Sequence, residues 1–337
     1  MINIVLCGGP GKRLWPLSAG GTPKQFIQIG GGESLYIKTI KRNQPLCDRT
    51  VVITDQKYSE TADGQIIKEK IDAEIILEPS VKGTAASVMI ACLMYPDETF
   101  LVTPADHEIS DAHSYNDAVK RAQALAEEGH IVTFGIEPEK PENRFGYIET
   151  EGEDVKKFHE KPDDDQVLWY IGKGYLVNSG IVCFKAEVML QELKKFLPDQ
   201  LEIAKEVIEN VRSGRVTHRL CGRFMGEMRF ENLEYAVLEK SDKLKCVKGI
   251  RGWRDIGTYD SMFDFYADAP EGNISFNIGE TFGVTDFIDS KGCMVINRDK
   301  DILVCGLDDV VVVESGGKIL VAKKDTDIKE ALKKIDQ

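Results

Sequence analysis

The sequence has few histidines and no paired cysteine motif. Its five histidines lie at positions 107, 113, 130, 159 and 218, and no two of them have the HExxH spacing of a zinc protease. The eight cysteines form no CxxC pair, and several lie inside apolar runs such as 89–94 and 181–184. We therefore expect free, buried thiols in a reducing compartment rather than a disulfide framework or a zinc site.

The sequence also lacks a long apolar run and an excess of basic residues. No apolar stretch approaches 18 residues, and the chain opens on a strand-like segment without a basic stretch before it. These features predict a cytoplasmic protein with no membrane partner. With 43 basic and 56 acidic residues the net charge is −13, so we expect no nucleic-acid partner. A small polyanion can still bind through a few local lysines and arginines.

Over residues 1–265, short runs rich in Ile, Val and Leu alternate with segments of helical period. The predicted strands are Ile2–Leu6, Val51–Thr54, Glu74–Leu77, Thr99–Thr103 and His130–Phe134. The predicted helices lie near 33–44, 57–71, 84–95, 114–128, 163–172, 186–212, 231–240 and 258–266. This alternation indicates an α/β fold, a Rossmann-like mixed sheet covered on both faces, with antiparallel strands inserted from about 143.

The sequence pattern changes after Ala-Pro-Glu-Gly-Asn at 269–273, from alternating strands and helices to short strands. The short β-rich runs that follow are Phe282–Thr285, Cys293–Asn297, Ile302–Val304, Val310–Val313 and Ile319–Val321. An amphipathic helix is predicted over Asp327–Ile335. We therefore predict two domains, 1–268 and a small all-β module over 269–337.

A glycine-rich turn, Cys7–Ser18, follows the first predicted strand directly. Glycine lets backbone N–H groups approach a phosphate chain, and Arg13 can hold phosphate oxygens with two N–H groups. The spacing fits neither GxGxxG nor GxxxxGK[ST], and a tight turn without a ligand is the alternative. Lys24, just after Pro23, is either a second phosphate-binding group or a solvated charge.

Together, Cys7–Ser18 and Thr22–Phe26 resemble the sugar-nucleotide pyrophosphorylases, most closely their mannose-1-phosphate guanylyltransferase (GDP-mannose pyrophosphorylase) branch. The resemblance continues, in family order, through Glu78–Ala85, Pro104–His107, Phe145–Glu149, Phe158–Pro162, Asn178–Ile181 and Trp253–Gly257. It implies a GT-A-like nucleotidyltransferase domain and a C-terminal left-handed β-helix-like element that forms a homodimer. The implied reaction joins GTP and α-D-mannose 1-phosphate into GDP-mannose and pyrophosphate with the help of Mg²⁺.

The resemblance also implies roles for individual residues. The implied catalytic residues are Arg13, Lys24, Lys161 and Asp106. The implied nucleotide-binding residues are Leu6, Gly8, Gly9, Gly11, Arg13, Glu78 and Gly83. The implied sugar-binding residues are Gly146, Glu160 and Asn178, and the implied metal ligands are Asp106 and Asp255.

Base selection has a physical rationale of its own at Glu78. Guanine presents two adjacent donors, N1–H and the 2-amino group, and one carboxylate can accept both, whereas the carbonyls of uracil and thymine would be repelled. Two motif segments depart from the family pattern: Lys12 replaces the usual threonine, and Lys82-Gly83 replaces Arg-Asn. The second change leaves the guanine contact at residue 83 to the backbone.

Three other functions are compatible with parts of this pattern. The first is a pyrophosphorylase for another nucleotide or hexose 1-phosphate, which a matrix of substrates would reveal. The second is a regulatory subunit that senses a nucleotide sugar without turnover, against which the four residues Arg13, Lys24, Asp106 and Asp255 argue. A nicotinamide oxidoreductase is disfavoured by the missing fingerprint.

Overall fold

The computed structural model describes residues 1–9, 12–18, 21–29, 32–214, 217–268, 271–278 and 283–334. The chain divides into two compact units. The first comprises 1–8, 40–104 and 109–253, and the second comprises 9–39, 105–108 and 254–337. The second unit thus includes segments of the predicted 1–268 domain, and the domain boundary at 268 remains a prediction.

The predicted strands of the first 136 residues are all present within a few residues of their expected ends. The strands are β1 Ile2–Leu6, β2 Arg49–Asp55, β3 Glu74–Glu78, β4 Thr99–Pro104, β5 His107–Ile109, β6 Ile131–Ile136, β7 Tyr147–Glu151, β8 Asp154–His159, β9 Leu176–Lys185, β10 Arg212–Ser213, β11 Thr217–Arg219, β12 Leu244–Lys248, β13 Trp253–Asp255, β14 Ile274–Asn277, β15 Thr285–Ile288, β16 Met294–Asn297, β17 Ile302–Cys305, β18 Val310–Ser315 and β19 Lys318–Lys323.

The helices follow the predicted positions with two corrections, and one helix, Gly222–Glu227, was not predicted. The helices are α1 Leu35–Asn43, α2 Ser59–Glu69, α3 Thr84–Met94, α4 Ala112–Glu127, α5 Asp164–Gly172, α6 Ala186–Phe196, α7 Pro198–Glu209, α8 Gly222–Glu227, α9 Tyr259–Tyr266 and α10 Ile328–Lys333. The single helix predicted over 186–212 is wrong, because Pro198 starts a second helix after the first ends at Phe196. The helix predicted over 231–240 is instead a π-helical turn, Glu234–Leu238.

An 11-stranded mixed sheet forms the first unit, which confirms the predicted α/β class. Its strand order is β10-β11-β3-β2-β1-β4-β9-β6-β12-β8-β7. Strands β11, β3, β2, β1 and β4 run parallel, whereas β9 is antiparallel to β4, β6 and β7. No strand was predicted at β9, although its Ile-Val-Cys-Phe run is apolar enough for a buried strand.

Both faces of this sheet are covered by helices. On β4, Phe100 and Val102 pack in one hydrophobic core and Leu101 packs in another, as the alternation of a strand requires. The first core includes α3, α6 and α7, and the second includes α4 and α5. Helix α3 is apolar around most of its circumference and is buried from Ala85 to Cys92, which is typical of a helix inside a core.

The second unit contains the predicted β module. Strand β14 pairs in parallel with β16, β16 with β18, and β15 with β17, while β19 closes the edge antiparallel to β18. Its core includes Met294, Ile296, Val311 and Val313. The run predicted to start at Phe282, which lies outside the described residues, begins as a strand at Thr285. Within the described parts of the chain, no helix is long and apolar enough to cross a membrane.

Candidate active site

Three distant parts of the sequence meet at Lys24 in the second unit. Its Nζ lies 2.7 Å from Oδ2 of Asp106 and 3.0 Å from Oδ1 of Asp255. The lysine begins a 3₁₀ turn after Pro23 and is only 8% exposed. The N–H of Ile256 donates to the Asp106 carbonyl at 3.2 Å, and this bond fixes the two acidic segments side by side. The structure therefore brings together residues that are 231 positions apart in the sequence.

The two carboxylates keep this buried lysine charged. Burial by itself would lower the pKa of Lys24, but attraction to Asp106 and Asp255 and the hydrogen bonds to both raise it above its usual value. A lysine so buried is rarely found without such partners. The pair of carboxylates is thus arranged around a positive charge.

The same carboxylates offer ligands for a metal ion. Ligand atoms of Asp106, His107 and Asp255 all lie within 4.8 Å of one another, and Nε2 of His107 lies 3.7 Å from Oδ1 of Asp106. Carboxylate oxygens suit a hard cation such as Mg²⁺, whereas an imidazole does not favour it. The donor set fits a divalent cation held by the two aspartates, in the region that the Lys24 ammonium reaches.

Arg13 lies close to this cluster. A Cβ added at Gly257 would stand 3.2 Å from Nη2 of Arg13 and 3.2 Å from both carboxylate oxygens of Asp255. A glycine at this position therefore leaves room for both charged groups. The carbonyl of Gly9 accepts a hydrogen bond from Nε2 of Gln25 at 3.2 Å, and Gly11 lies outside the described residues.

The predicted base-binding residues belong to the first unit. Glu78 ends β3 and is 2% exposed, and the Ser87 hydroxyl lies 2.7 Å from its Oε1 and 3.4 Å from the Gly83 carbonyl. Burial raises the pKa of Glu78 to about 7. The hydrogen bond from Ser87 lowers the pKa but does not offset the effect of burial. Ser87 thus links two of the predicted residues. It was missed because a serine four residues inside a helix carries no signal of its own.

Gly83 requires glycine for two independent reasons. Its φ is +86°, and a Cβ there would lie 2.2 Å from the carbonyl oxygen of Glu231. At Gly8, the nearest atom to an added Cβ is a methyl of Val81 at 3.8 Å, so space does not demand glycine there. Leu6, the last residue of β1, is opposite Ile53 of β2.

The predicted sugar-binding residues also come together in the first unit. A Cβ at Gly146 would lie 2.6 Å from Oε2 of Glu160, and the Gly146 carbonyl accepts the Asn178 N–H at 2.8 Å. Oδ1 of Asn178 accepts the Thr133 hydroxyl at 2.7 Å. The glycine therefore permits a close approach of the Glu160 carboxylate to the backbone that holds Asn178.

Glu160 and Lys161 are an unusual pair. Nζ of Lys161 lies 3.8 Å from Oε1 of Glu160, and the glutamate side chain is 9% exposed. Burial and the nearby charge of Glu234 raise the pKa of Glu160 to about 7. Lys161 adopts φ +46°, a conformation that a non-glycine residue rarely takes outside constrained sites.

Comparison with known proteins gives consistent results over the whole chain. The family model for nucleotidyl transferases matches residues 2–272. Mannose-1-phosphate guanylyltransferase 2 of Escherichia coli O157:H7 is 32% identical over 346 residues, which cover 96% of this chain and 70% of that protein. Alginate biosynthesis protein AlgA of Pseudomonas aeruginosa is 32% identical over 370 residues, which cover 100% of this chain and 72% of that protein. A crystal structure from Thermus thermophilus, described as a mannose-1-phosphate geranyltransferase, matches with a TM-score of 0.85 and 28% identity over 100% of this chain and 99% of that one.

Proposed function

The chain belongs to the nucleotidyl transferase family, and we propose that it transfers GMP from GTP to α-D-mannose 1-phosphate, with release of pyrophosphate. The similarity to the Escherichia coli guanylyltransferase over nearly the whole chain carries this proposal. In the reaction, a phosphate oxygen of the sugar phosphate attacks the α-phosphorus of GTP. The bond from that phosphorus to the bridging oxygen of pyrophosphate breaks, so no covalent enzyme intermediate is needed.

The residues of the second unit supply the positive charge for this displacement. Arg13 and Lys24 would bind the triphosphate and stabilise the leaving pyrophosphate, and backbone N–H groups at Gly9 and Gly11 would add donors. Asp106 and Asp255 would hold Mg²⁺, which neutralises phosphate charge when bound. The closeness of the Asp106 and Asp255 ligand atoms, within 4.8 Å of each other, supports this assignment. The ion would compete with the Lys24 ammonium, which contacts both carboxylates.

Glu78 would select guanine in the first unit. Its ionised carboxylate would accept N1–H and the 2-amino group, and Leu6, Gly8 and Gly83 would contact the nucleotide through their backbone. Because the pKa of Glu78 is about 7, the two donors of guanine would favour the ionised form. Such a bidentate contact is worth about 1–3 kcal/mol of discrimination, or roughly 10- to 100-fold.

Glu160 and Lys161 would bind the second substrate. The carboxylate of Glu160 would accept hydrogen bonds from mannose hydroxyls, with Asn178 and the backbone of Gly146 completing the contacts. Lys161, whose side chain is 52% exposed, would meet the sugar phosphate or the α-phosphate.

We also propose the finer features of the architecture. Residues 1–268 would form a GT-A-like catalytic domain, and 269–337 a left-handed β-helix-like module, which the parallel pairing of alternate strands supports. The family resemblance implies that this module forms a homodimer, and we include the homodimer in the proposal. A cytoplasmic location is supported by the eight cysteines, all without a disulfide.

Pyrophosphate release tests the function directly. Purified protein is assayed with GTP, ATP, UTP and dTTP against mannose 1-phosphate and glucose 1-phosphate, and GTP with mannose 1-phosphate should be the best pair. Asp255→Asn should abolish turnover, while Asp286→Asn, an exposed acid of the second unit, should not change it. Another best pair would refute the assigned substrates, and full activity of Asp255→Asn would refute the metal assignment.

A further inference from the structure

The segment that follows Glu231 lies against the loop that carries Gly83. The N–H of Glu231 donates to the Lys82 carbonyl at 2.9 Å, and the Glu231 carbonyl accepts the Ala85 N–H at 3.1 Å. These two hydrogen bonds explain why a side chain at Gly83 would collide with Glu231. The predicted base-binding loop and this segment therefore pack directly against each other.

Thr84 extends this contact from backbone to side chains. Its hydroxyl oxygen accepts the Leu233 N–H at 2.8 Å and lies 3.4 Å from Oε2 of Glu234, to which it donates. Glu234 is the first residue of the π-helical turn. Such turns are rare and frequently occur at functional sites.

Tyr235, the next residue of this turn, brings it near Lys161, a predicted catalytic residue, and thereby near the predicted sugar-binding Glu160. Among the charged groups around Glu160, Glu234 and Glu239 raise its pKa and Lys161 lowers it. Burial raises the pKa of Glu234, and the charge of Lys161 opposes this rise. The Lys161 ammonium lies 6.0 Å from the ring centroid of Tyr235. Lys161 thus lies 3.8 Å from the Glu160 carboxylate and close to the ring of Tyr235, the residue that follows Glu234 directly.

We propose that Glu234 is a positioning residue for the sugar subsite: anchored by Thr84, it places the Lys161 ammonium beside Glu160 and sets the charge that a mannose phosphate meets. This inference rests on the proposed function for its substrate. It adds a physical link between the base-binding loop and the sugar-binding pair, because Thr84 follows Gly83 directly.

Glu234→Gln tests the role of the charge. We expect the KM for mannose 1-phosphate to rise about tenfold, the loss typical of one charged hydrogen-bonding partner, with a much smaller change in the KM for GTP. Removing the negative charge lowers the pKa of Glu160, so Glu160 stays ionised to lower pH. The pH at which the sugar KM begins to rise on acidification should therefore move down. A merely structural role would not move this profile.

Matched variants separate anchoring from charge. Thr84→Val keeps the shape but loses the hydroxyl and should raise the sugar KM, whereas Thr84→Ser should keep it near the wild-type value. Glu239→Gln removes the same charge from a residue without the Thr84 contact and should have a smaller effect. An unchanged sugar KM and pH profile in Glu234→Gln would overturn the proposal, as would an equal effect of Glu239→Gln.

A second measurement does not need turnover. Titration of ¹³C-labelled glutamate carboxyls by NMR should show the pKa of Glu160 moving toward its ordinary value in Glu234→Gln. If wild-type protein released no pyrophosphate from GTP with mannose 1-phosphate, the proposed function would fail while this titration could still succeed. An unmoved Glu160 resonance would refute the role of Glu234 whichever substrates the enzyme uses.

Discussion

Replacing Lys24 by methionine tests the charge arrangement at the centre of the candidate site. Methionine fills a similar volume but leaves Asp106 and Asp255 without the ammonium that now lies 2.7 and 3.0 Å away. Removing one partner from a buried ion pair costs about 3–5 kcal/mol. Because the Asp106 side chain is 28% exposed, we expect a loss of unfolding free energy near the lower end, about 3 kcal/mol.

The unfolding free energy that Lys24→Met loses should be smaller when Mg²⁺ is present. In the variant, Mg²⁺ would bind two carboxylates that no longer have a counter-charge, and at 100 times its Kd it would restore about 2.7 kcal/mol. In the wild-type protein the ion must compete with the ammonium of Lys24, so its stabilising effect should be smaller. Urea unfolding followed by circular dichroism, in EDTA and in Mg²⁺, measures the stabilisation by the ion in the variant and in the wild-type protein.

The control is Lys300→Met, which removes an exposed lysine of the second unit 3.0 Å from Asp299. Exposed pairs contribute little, so its unfolding free energy should hardly change in either buffer. An equal loss for Lys24→Met with and without Mg²⁺ would refute the view that one pair of carboxylates serves both cations. A loss no greater than that of Lys300→Met would refute the buried ion pair itself.

Two other changes in the first unit have clear expectations. Glu78→Gln should lower the preference of kcat/KM for GTP over ATP by about 10- to 100-fold, measured by pyrophosphate release. Because the pKa of Glu78 is about 7 and guanine needs the carboxylate, the wild-type KM for GTP should fall as pH rises through that value, and the variant should lose this dependence. Gly83→Ala adds a Cβ 2.2 Å from a carbonyl oxygen, whereas Gly152→Ala, at φ +62°, meets nothing within 4 Å. Gly152→Ala should cost about 1–2 kcal/mol for a left-handed backbone. Gly83, at φ +86° and ψ 171°, lies in a backbone region that only glycine takes, so Gly83→Ala should lose more in urea unfolding, from the backbone and the collision together, and equal losses would contradict this.

The fold was predictable where the signal is local. Strands β1 to β4 are short runs rich in Ile, Val and Leu with Gly, Asp or Pro at or just after their ends, and this combination of length, composition and turn residues predicts a strand. Strand β9 escaped prediction because Asn178-Ser179-Gly180, residues typical of a turn, interrupt its apolar run. The division at Pro198 was overlooked for a different reason: the helical period continues across it, and only the missing N–H interrupts the helix.

The candidate site was predictable only in part, for a physical reason. Motifs indicate which residues can bind phosphate, base or sugar, but a contact such as that of Gly83 with Glu231 depends on how distant segments pack. Ser87 and Glu234 belong to no motif and acquire their chemistry from neighbours in space. Their carboxylate partners, Glu78 and Glu160, were found through the family resemblance, which carries no information about what surrounds them.

The charge of Lys24 does not by itself explain how an acidic protein with a net charge of −13 would accept the proposed triphosphate. In the second unit, the two basic side chains of Arg13 and Lys24 are offset by the two acidic ones of Asp106 and Asp255. Because these four charges cancel, the cluster would not attract a polyanion. The basic residues Arg13 and Lys24 alone therefore do not account for binding of a nucleotide. A divalent cation at the carboxylates would supply that charge and release the lysine for the phosphates. Ion and nucleotide should therefore bind more tightly together than either does alone.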